Sequence, residues 1–218
     1  RSVERHGLDI TRAIFMQGCA PYRFMKPLRM SLFLSANEAD VREAISLGFA
    51  AGHVVGCAVP DDGDTDLRIA FDFDGVLAGD SSERVFQDRG LEEYQESESA
   101  LADVPLDRGP MADFLEKINR IQRIEDSKSA GDPSGYRRRV HVAVVTARSA
   151  PAHERAINSI RQWGLRVNDA FFLGGVDKGP ILEVLRPHIF FDDQRRHVDG
   201  ASPSTPSVHI PFGELNGA

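Results

Sequence analysis

The sequence has 218 residues, with 33 acidic and 26 basic side chains and a formal net charge of −7. At roughly 150 residues per domain, this length predicts one domain and part of a second. The hydrophobic fraction of 41% excludes a disordered chain, and the acidic balance argues against nucleic-acid binding, which requires clustered Lys and Arg.

No apolar run reaches the roughly 18 residues that a membrane span requires, and the opening residues lack the apolar core of a signal peptide. The two cysteines, Cys19 and Cys57, are too few for a disulfide framework. These features predict a cytoplasmic protein that is not bound to a membrane. A homo-oligomer is compatible with the sequence.

The N-terminal part of the chain resembles a later part. Residues 2–44 align without a gap with residues 159–201, and both segments have the pattern of a helix end, two strands and the helix between them. Identical pairs include Gly7 with Gly164, Gly18 with Gly175, Arg29 with Arg186, Phe33 with Phe190, and Val41 with Val198. We interpret the segments as two copies of one αβαβ unit rather than as a chance similarity.

The first copy lacks ionisable groups that the second copy has. It carries Pro21 where the second copy has Lys178, and Ser35-Ala36 where the second has two aspartates. We expect residues 1–60 to form a degenerate, non-catalytic Rossmann-like half-repeat that is incomplete at its N-terminal end. Residues 61–66 are the expected linker to a catalytic domain over residues 61–218.

From residue 67 onward, strands and helices alternate, which predicts an α/β fold with a Rossmann-like parallel sheet flanked by helices. The apolar runs 67–73, 140–145, 170–173 and 188–191 are the expected buried strands. Apolar residues at helical spacing follow Pro110, and further helices are expected after Pro151 and near Lys178.

The insert between the first two of these strands, about residues 80–139, is longer than one crossover helix requires. Its residues 80–109 are acidic and compatible with a helix, so we expect a small cap over one edge of the sheet. Residues 125–139 lack the apolar spacing of a helix and contain Gly, Pro and Ser, which predicts a loop.

Polar side chains follow each predicted strand at its carboxyl end, where open parallel sheets bind ligands. They are Asp72, Asp74, Thr146, Arg148, Lys178, Asp192 and Asp193. Each group alone has an ordinary explanation as a turn or a helix cap. Together, however, four carboxylates at one edge would repel one another strongly, and a divalent cation would relieve that repulsion. Oxygen ligands favour Mg²⁺, which is the expected cofactor.

The order and spacing of these motifs resemble those of the haloacid dehalogenase-like hydrolases. The run VTARSAPAHERAINSIRQWGL, followed by FFLGGVDKGPILEVLRPHIFFDDQ, is similar to the cytosolic 5′-nucleotidase type I family. The resemblance covers most of the chain, although the family has a further N-terminal portion. It implies a Mg²⁺-dependent phosphoric monoester hydrolase that converts nucleoside 5′-monophosphates, AMP foremost, to nucleoside and phosphate.

The resemblance also implies a role for each residue. Asp72 would be the nucleophile and form an aspartyl-phosphate, and Asp74 would serve as acid and base and bind the metal through its carbonyl. Asp72 and Asp193 would bind the metal with their side chains, with Asp192 in support. Thr146 and Lys178 would bind phosphate; for Arg148, contact with phosphate and holding of the loop remain open. Either Phe86 or Tyr94 would stack on the base.

Two alternatives remain. The chain could be a phosphatase of another small phosphorylated metabolite, with the same catalytic core and a different use of the cap. It could also be a catalytically silent nucleotide-binding module. The second aspartate of the pair argues against a silent module, because a protein that only binds has no need of an acid.

Overall fold

The computed structural model describes residues 2–56, 59, 63–132, 135–213 and 216–217. Cys57 and the first two residues of the predicted linker lie outside these ranges. The described residues form one seven-stranded sheet. Its strands are β1 (Phe33–Ser35), β2 (Ala51–Val55), β3 (Leu67–Phe71), β4 (Val140–Thr146), β5 (Asp169–Phe172), β6 (Ile189–Asp192) and β7 (Ser207–His209).

The strand order is β1-β2-β7-β6-β3-β4-β5, and all neighbouring strands are parallel except β2 and β7. The four predicted strands are confirmed as β3, β4, β5 and β6. The predicted burial of β5 is wrong, because β5 is at the edge of the sheet and its residues are exposed or half-buried. This mostly parallel sheet, flanked by helices, confirms the predicted fold class. It places β3 centrally, between β6 and β4.

The helices surround this sheet. They are α1 (Ser2–Arg5), α2 (Glu38–Ser46), α3 (Ser81–Ala100), α4 (Ala112–Gly131), α5 (His153–Gln162), α6 (Gly179–Leu185) and α7 (Arg195–Ala201), with a 3-10 turn over Pro21–Phe24. Helices α4, α5 and α6 confirm the three that the sequence predicts. Helix α3 occupies the predicted cap and bends at Gly90, where φ is 87°.

The predicted loop over residues 125–139 is wrong in its first half, because α4 continues to Gly131. Glu125 is buried, and it accepts hydrogen bonds from the backbone N–H groups of Arg139 at 3.0 Å and Val140 at 3.1 Å. These bonds tie the end of α4 to the start of β4. A carboxylate therefore takes a buried position that apolar spacing assigns to a hydrophobic side chain, which is why the pattern misses this part of the helix.

The two segments of the predicted repeat share local structure. Both β1-α2-β2 and β6-α7-β7 are parallel β-α-β units. Arg29 and Arg186, which are aligned in the repeat, have φ values of 55° and 48° and are the two non-glycine residues with positive φ in the described part of the chain. This conformation is uncommon for a side chain of this size. Its recurrence at aligned positions supports two copies of one unit.

One predicted strand of the first copy does not form. Residues 12–15 align with β5, yet residues 8–20 contain no strand. Strand β5 pairs with β4, whereas residues 12–15 pair with no strand among the described residues.

Apolar side chains cover both faces of the central sheet. The Phe71 ring stacks on Phe191 at a centroid distance of 5.1 Å, and Phe114 of α4 meets both rings edge-on at 6.2 and 6.0 Å. Ala70 points to the opposite face, in the apolar layer that contains Leu182 of α6, because side chains alternate along a strand. Both faces of β3 are thus covered by apolar side chains, and the polar side chain of Asp72 follows directly after its carboxyl end.

Candidate active site

The predicted polar groups meet at the carboxyl edge of the central strands. Phe71 lies opposite Val144 of β4 and Phe191 of β6 in the sheet register. The residues that end these strands are consequently neighbours, and Asp72, Asp192 and Thr146 all have buried side chains there.

Lys178, immediately before α6, joins two of the aspartates. Its Nζ lies 3.0 Å from Asp72 Oδ2 and 2.7 Å from Asp192 Oδ2. Asp192 has further partners: Oδ1 accepts the backbone N–H of Gln194 at 2.8 Å, and Oδ2 lies 3.2 Å from His197 Nδ1. The lysine is thus held between a well-satisfied carboxylate and a second one with fewer partners.

The pKa values of this cluster follow from burial and charge. Burial raises the pKa of Asp72 to about 7, and Lys178 opposes that rise. Burial acts in the same direction on Asp192, yet Lys178 and His197 outweigh it and lower the pKa of that carboxyl. The two aspartates differ because Lys178 is closer to Asp192, which alone contacts the histidine. Burial tends to lower the pKa of Lys178, but both carboxylates raise it above its usual value, so the lysine stays charged.

Asp193 is the least satisfied carboxylate at this edge. It is 5% exposed, and its Oδ1 has no hydrogen-bond partner among the described residues. Burial, followed by the charges of Asp72 and Asp192, raises the pKa of Asp193 well above its usual value. Gly75 (φ 68°) packs beneath it, and a Cβ there would lie 2.3 Å from Asp193 Oδ2. Glycine therefore leaves room for this carboxylate.

The cluster has the composition of a site for a hard cation. Ligand atoms of Asp72, Asp192 and His197 lie within 4.8 Å of one another. The oxygens of Asp192, however, are already occupied by Lys178 and a backbone N–H donor, and those of Asp72 by Lys178 and the backbone N–H of Phe73 at 2.7 Å. Asp193 Oδ1 is instead a buried acceptor that lacks a donor among the described residues. Asp193 is thus the carboxylate with free capacity for a metal ion, and carboxylate oxygens are hard ligands.

Asp74 is bound by arginine rather than by lysine. Arg148 Nε donates to Asp74 Oδ2 and Arg148 Nη2 to Oδ1, each at 2.7 Å, in a bidentate pair. Thr146 Oγ1 accepts the backbone N–H of Arg148 at 3.2 Å, which leaves the hydroxyl hydrogen for another acceptor. The sequence leaves two roles open for Arg148. Its side-chain contacts agree with one, which is to hold the loop in place; the other, contact with phosphate, stays a prediction.

The structure adds a residue that the sequence does not reveal. Glu98 of α3 is 2% exposed; its Oε2 pairs with Arg148 Nη1, and its Oε1 with Arg155 Nη1 at 2.7 Å. Ser82 Oγ also donates to Oε1 at 2.8 Å. Glu98 lies in the acidic run EEYQESES, where nothing distinguishes a buried glutamate from its solvated neighbours. No pattern in the sequence could have identified it.

The two aromatic candidates of the cap touch each other. Phe86 and Tyr94 of α3 meet edge-on at 5.8 Å, and the Tyr94 ring also faces the Arg148 guanidinium at 5.9 Å. Phe86 is 42% exposed. Tyr94 is thus engaged in the arginine cluster, whereas Phe86 keeps an accessible face for stacking.

Comparison with known proteins agrees with this geometry. The family model for 5′-nucleotidase matches residues 1–217. The human protein named cytosolic 5′-nucleotidase 1B is 37% identical over 202 residues, which are 92% of this chain and 32% of that protein. The chain therefore spans about a third of the length of this relative. No solved structure gives a significant match.

None of the helices in the described ranges is both long enough and apolar enough to cross a bilayer.

Three findings agree with one another: the polar edge of a parallel sheet, the buried lysine–aspartate cluster at that edge, and a family match over nearly the whole sequence. The chain belongs to the 5′-nucleotidase family.

Proposed function

We propose that this protein is a Mg²⁺-dependent 5′-nucleotidase that hydrolyses nucleoside 5′-monophosphates through an aspartyl-phosphate on Asp72. The observation that carries the proposal is the buried contact between Asp72 and Lys178, at the edge where parallel sheets bind ligands. Family membership supports the reaction class. AMP is the proposed substrate on the family resemblance, and a cytoplasmic location is proposed on the name of the human relative.

Asp72 is the proposed nucleophile because its environment suits attack on phosphorus. Lys178 Nζ, 3.0 Å from Oδ2, opposes the effect of burial and favours the ionised form of Asp72. One bond forms between an Asp72 oxygen and phosphorus, while the bond from phosphorus to the ribose 5′ oxygen breaks. Two easier displacements thereby replace one difficult hydrolysis.

Asp74 is the proposed acid and base. It would donate a proton to the departing 5′ oxygen and afterwards take one from the water that attacks the aspartyl-phosphate. Thr146 and Lys178 would bind the phosphoryl oxygens, the first by its hydroxyl and the second by its charge. Asp192 supports this arrangement by holding Lys178 from the other side at 2.7 Å.

The proposed metal ligands are the side chains of Asp72 and Asp193 and the backbone carbonyl of Asp74. The fit rests on Asp193, whose buried Oδ1 lacks a donor among the described residues and whose pKa is raised. A cation supplies the missing positive partner. When bound, Mg²⁺ provides charge neutralisation for the phosphoryl group and the carboxylates.

Residues 1–60 are proposed to be structural. The proposed catalytic residues all come from residues 61–218, and Ser35 and Ala36 of the first copy cannot supply the carboxylates of the aligned Asp192 and Asp193. Strands β1 and β2 instead extend the sheet beyond β7. The proposed cap is the insert of about residues 80–139, in which α3 carries Glu98 and Tyr94, which both contact Arg148.

A phosphate-release screen tests the proposal. Nucleoside 5′-monophosphates and sugar phosphates are assayed with Mg²⁺ and with EDTA, and Asp72→Asn is the matched control. We expect Mg²⁺-dependent release from AMP that the variant reduces by several orders of magnitude. Faster release from sugar phosphates would favour a phosphatase of another metabolite, and AMP binding without release would favour a silent module.

A further inference from the structure

We infer that Glu98 of the cap helix α3 is a positioning residue that acts through Arg148 to hold Asp74 at the leaving-group oxygen. The inference rests on the proposed function, because it assigns Asp74 the role of proton donor. Glu98 lies outside the sequence motifs that resemble the family, on helix α3 of the cap.

Every side-chain nitrogen of Arg148 is engaged. Nε and Nη2 both donate to Asp74 at 2.7 Å, while Nη1 pairs with Glu98 Oε2 and donates to the carbonyl of Ala152 at 3.0 Å. A guanidinium is rigid and planar, so fixing one edge also fixes the direction of the other. Glu98 thus sets the orientation in which Arg148 meets Asp74.

Two aromatic rings also contact the guanidinium. Phe73 lies at 5.1 Å and Tyr94 at 5.9 Å, measured from ring centroid to Cζ. These contacts limit tilting of the guanidinium, whereas rotation within its plane is limited by its hydrogen bonds. The pairing with Glu98 restrains that rotation.

Four charged groups alternate in sign along this chain of contacts. Asp74, Arg148, Glu98 and Arg155 follow one another, and the inner two side chains are each 2% exposed. Removal of the Glu98 charge leaves Arg148 and Arg155 with Asp74 as the one remaining carboxylate of the four groups. Arg148 then loses a charged restraint, and Arg148 and Asp74 can shift together.

The shift matters because proton donation depends on position. A misplacement of about 1 Å can cost about 100-fold in rate. In phosphoryl transfer to Asp72, the bond from phosphorus to the 5′ oxygen breaks and the Asp74 proton moves to that oxygen. A leaving group that departs readily as an anion does not require this proton, so its departure is insensitive to where Asp74 lies. Hydrolysis of the aspartyl-phosphate, in which Asp74 acts as the base, is the same step for every leaving group.

The test compares two leaving groups in Glu98→Gln, which keeps the shape of the side chain. The substrates are AMP and its analogue with sulfur in place of the bridging 5′ oxygen, because a thiolate is a far weaker base than an alkoxide. With AMP we expect kcat/KM, which reports the steps up to release of the nucleoside, to fall about 10–100-fold. With the analogue we expect kcat/KM within about threefold of wild type.

Ser82→Ala is the matched control, because it removes a donor from Glu98 Oε1 and leaves the Arg148 contact in place. It should retain wild-type kcat on both substrates. Arg148→Lys is the second variant: it keeps the positive charge but cannot reach both carboxylates, and it should show the same preference for the sulfur leaving group. In the double variant, the loss should not exceed that of Arg148→Lys alone.

Equal losses of kcat/KM on both substrates would overturn the inference, since they would show a structural role. A wild-type kcat/KM on AMP in Glu98→Gln would overturn it too. If the wild-type protein hydrolyses neither substrate with Mg²⁺, the proposed function itself fails, which is a distinct result.

Discussion

Replacement of Asp193 by asparagine should stabilise the protein in the absence of metal. Asp193 is 5% exposed and its Oδ1 has no partner among the described residues. Burial and the neighbouring charges of Asp72 and Asp192 raise its pKa. The native fold therefore carries a carboxylate whose ionised form is disfavoured, and Asp193→Asn removes that charge while keeping the size of the side chain.

Removal of the charge from this buried, unsatisfied group should recover about 1–3 kcal/mol. For a chain of 218 residues, each kcal/mol shifts Tm by about 2–4 °C, so Tm should rise by about 2–12 °C in EDTA. Mg²⁺ should offset this difference, because an ion at 100 times its Kd stabilises the wild-type protein by about 2.7 kcal/mol. The variant loses most of that gain.

The pH dependence has a definite sign. The pKa of Asp193 is higher in the folded protein than in the unfolded chain. The contribution of Asp193 to the stability of the wild-type protein is therefore fully present below the unfolded-state pKa, and it is lost as pH rises through the folded-state pKa. In EDTA, between pH 5 and pH 8, the advantage of Asp193→Asn should therefore increase as pH rises and shrink as pH falls.

Thermal melts of both proteins across this pH range, with EDTA and with Mg²⁺, provide the measurement. Asp113→Asn is the control, because the Asp113 side chain is 78% exposed. A variant that melts below wild type in EDTA at pH 8, or a difference that does not vary with pH, would refute the reasoning.

Three further predictions concern other parts of the structure. Gly75→Ala should lower Tm and Mg²⁺-dependent activity more than Gly164→Ala, since both have φ near +68° but only the Gly75 Cβ meets Asp193; equal effects in melts and assays would contradict this. Lys178→Gln should reduce turnover at least about 100-fold and destabilise the fold by about 3–5 kcal/mol, which phosphate-release assays and denaturant titration check. Phe33→Ala should cost about 3–5 kcal/mol without lowering kcat of the folded fraction; a wild-type melt with lost activity would show that this half serves the chemistry.

The sequence predicts the central sheet well because its strands are apolar runs. Strands β3, β4 and β6 are buried on both faces, and each ends at the polar residues that the motif positions indicate. The rule that parallel sheets bind ligands at their carboxyl edges then brings Asp72, Thr146 and Asp192 together without any structure.

Partners within the site are less accessible to sequence reasoning. Asp72 and Asp74 are two positions apart, yet one contacts Lys178 and the other contacts Arg148. Which cation each carboxylate meets depends on side-chain direction at the strand end, and spacing along the chain does not fix that direction.

Buried polar side chains account for the remaining features that the sequence does not predict. Glu125 extends α4 beyond its predicted end, and Glu98 links the cap to Arg148. Both glutamates lie in polar stretches that read as solvated, because their burial is created by partners distant in sequence. Only tertiary structure distinguishes them from exposed neighbours.

Detection of phosphate on Asp72 during turnover tests the central claim most directly. The wild-type protein is mixed with AMP and Mg²⁺ and quenched in acid within the first turnovers, and its peptides are mapped by mass spectrometry. The account predicts phosphate on the peptide that contains Asp72, and none in Asp72→Asn or in EDTA. Steady turnover with no phosphate on that peptide, or with phosphate on a different residue, would contradict it.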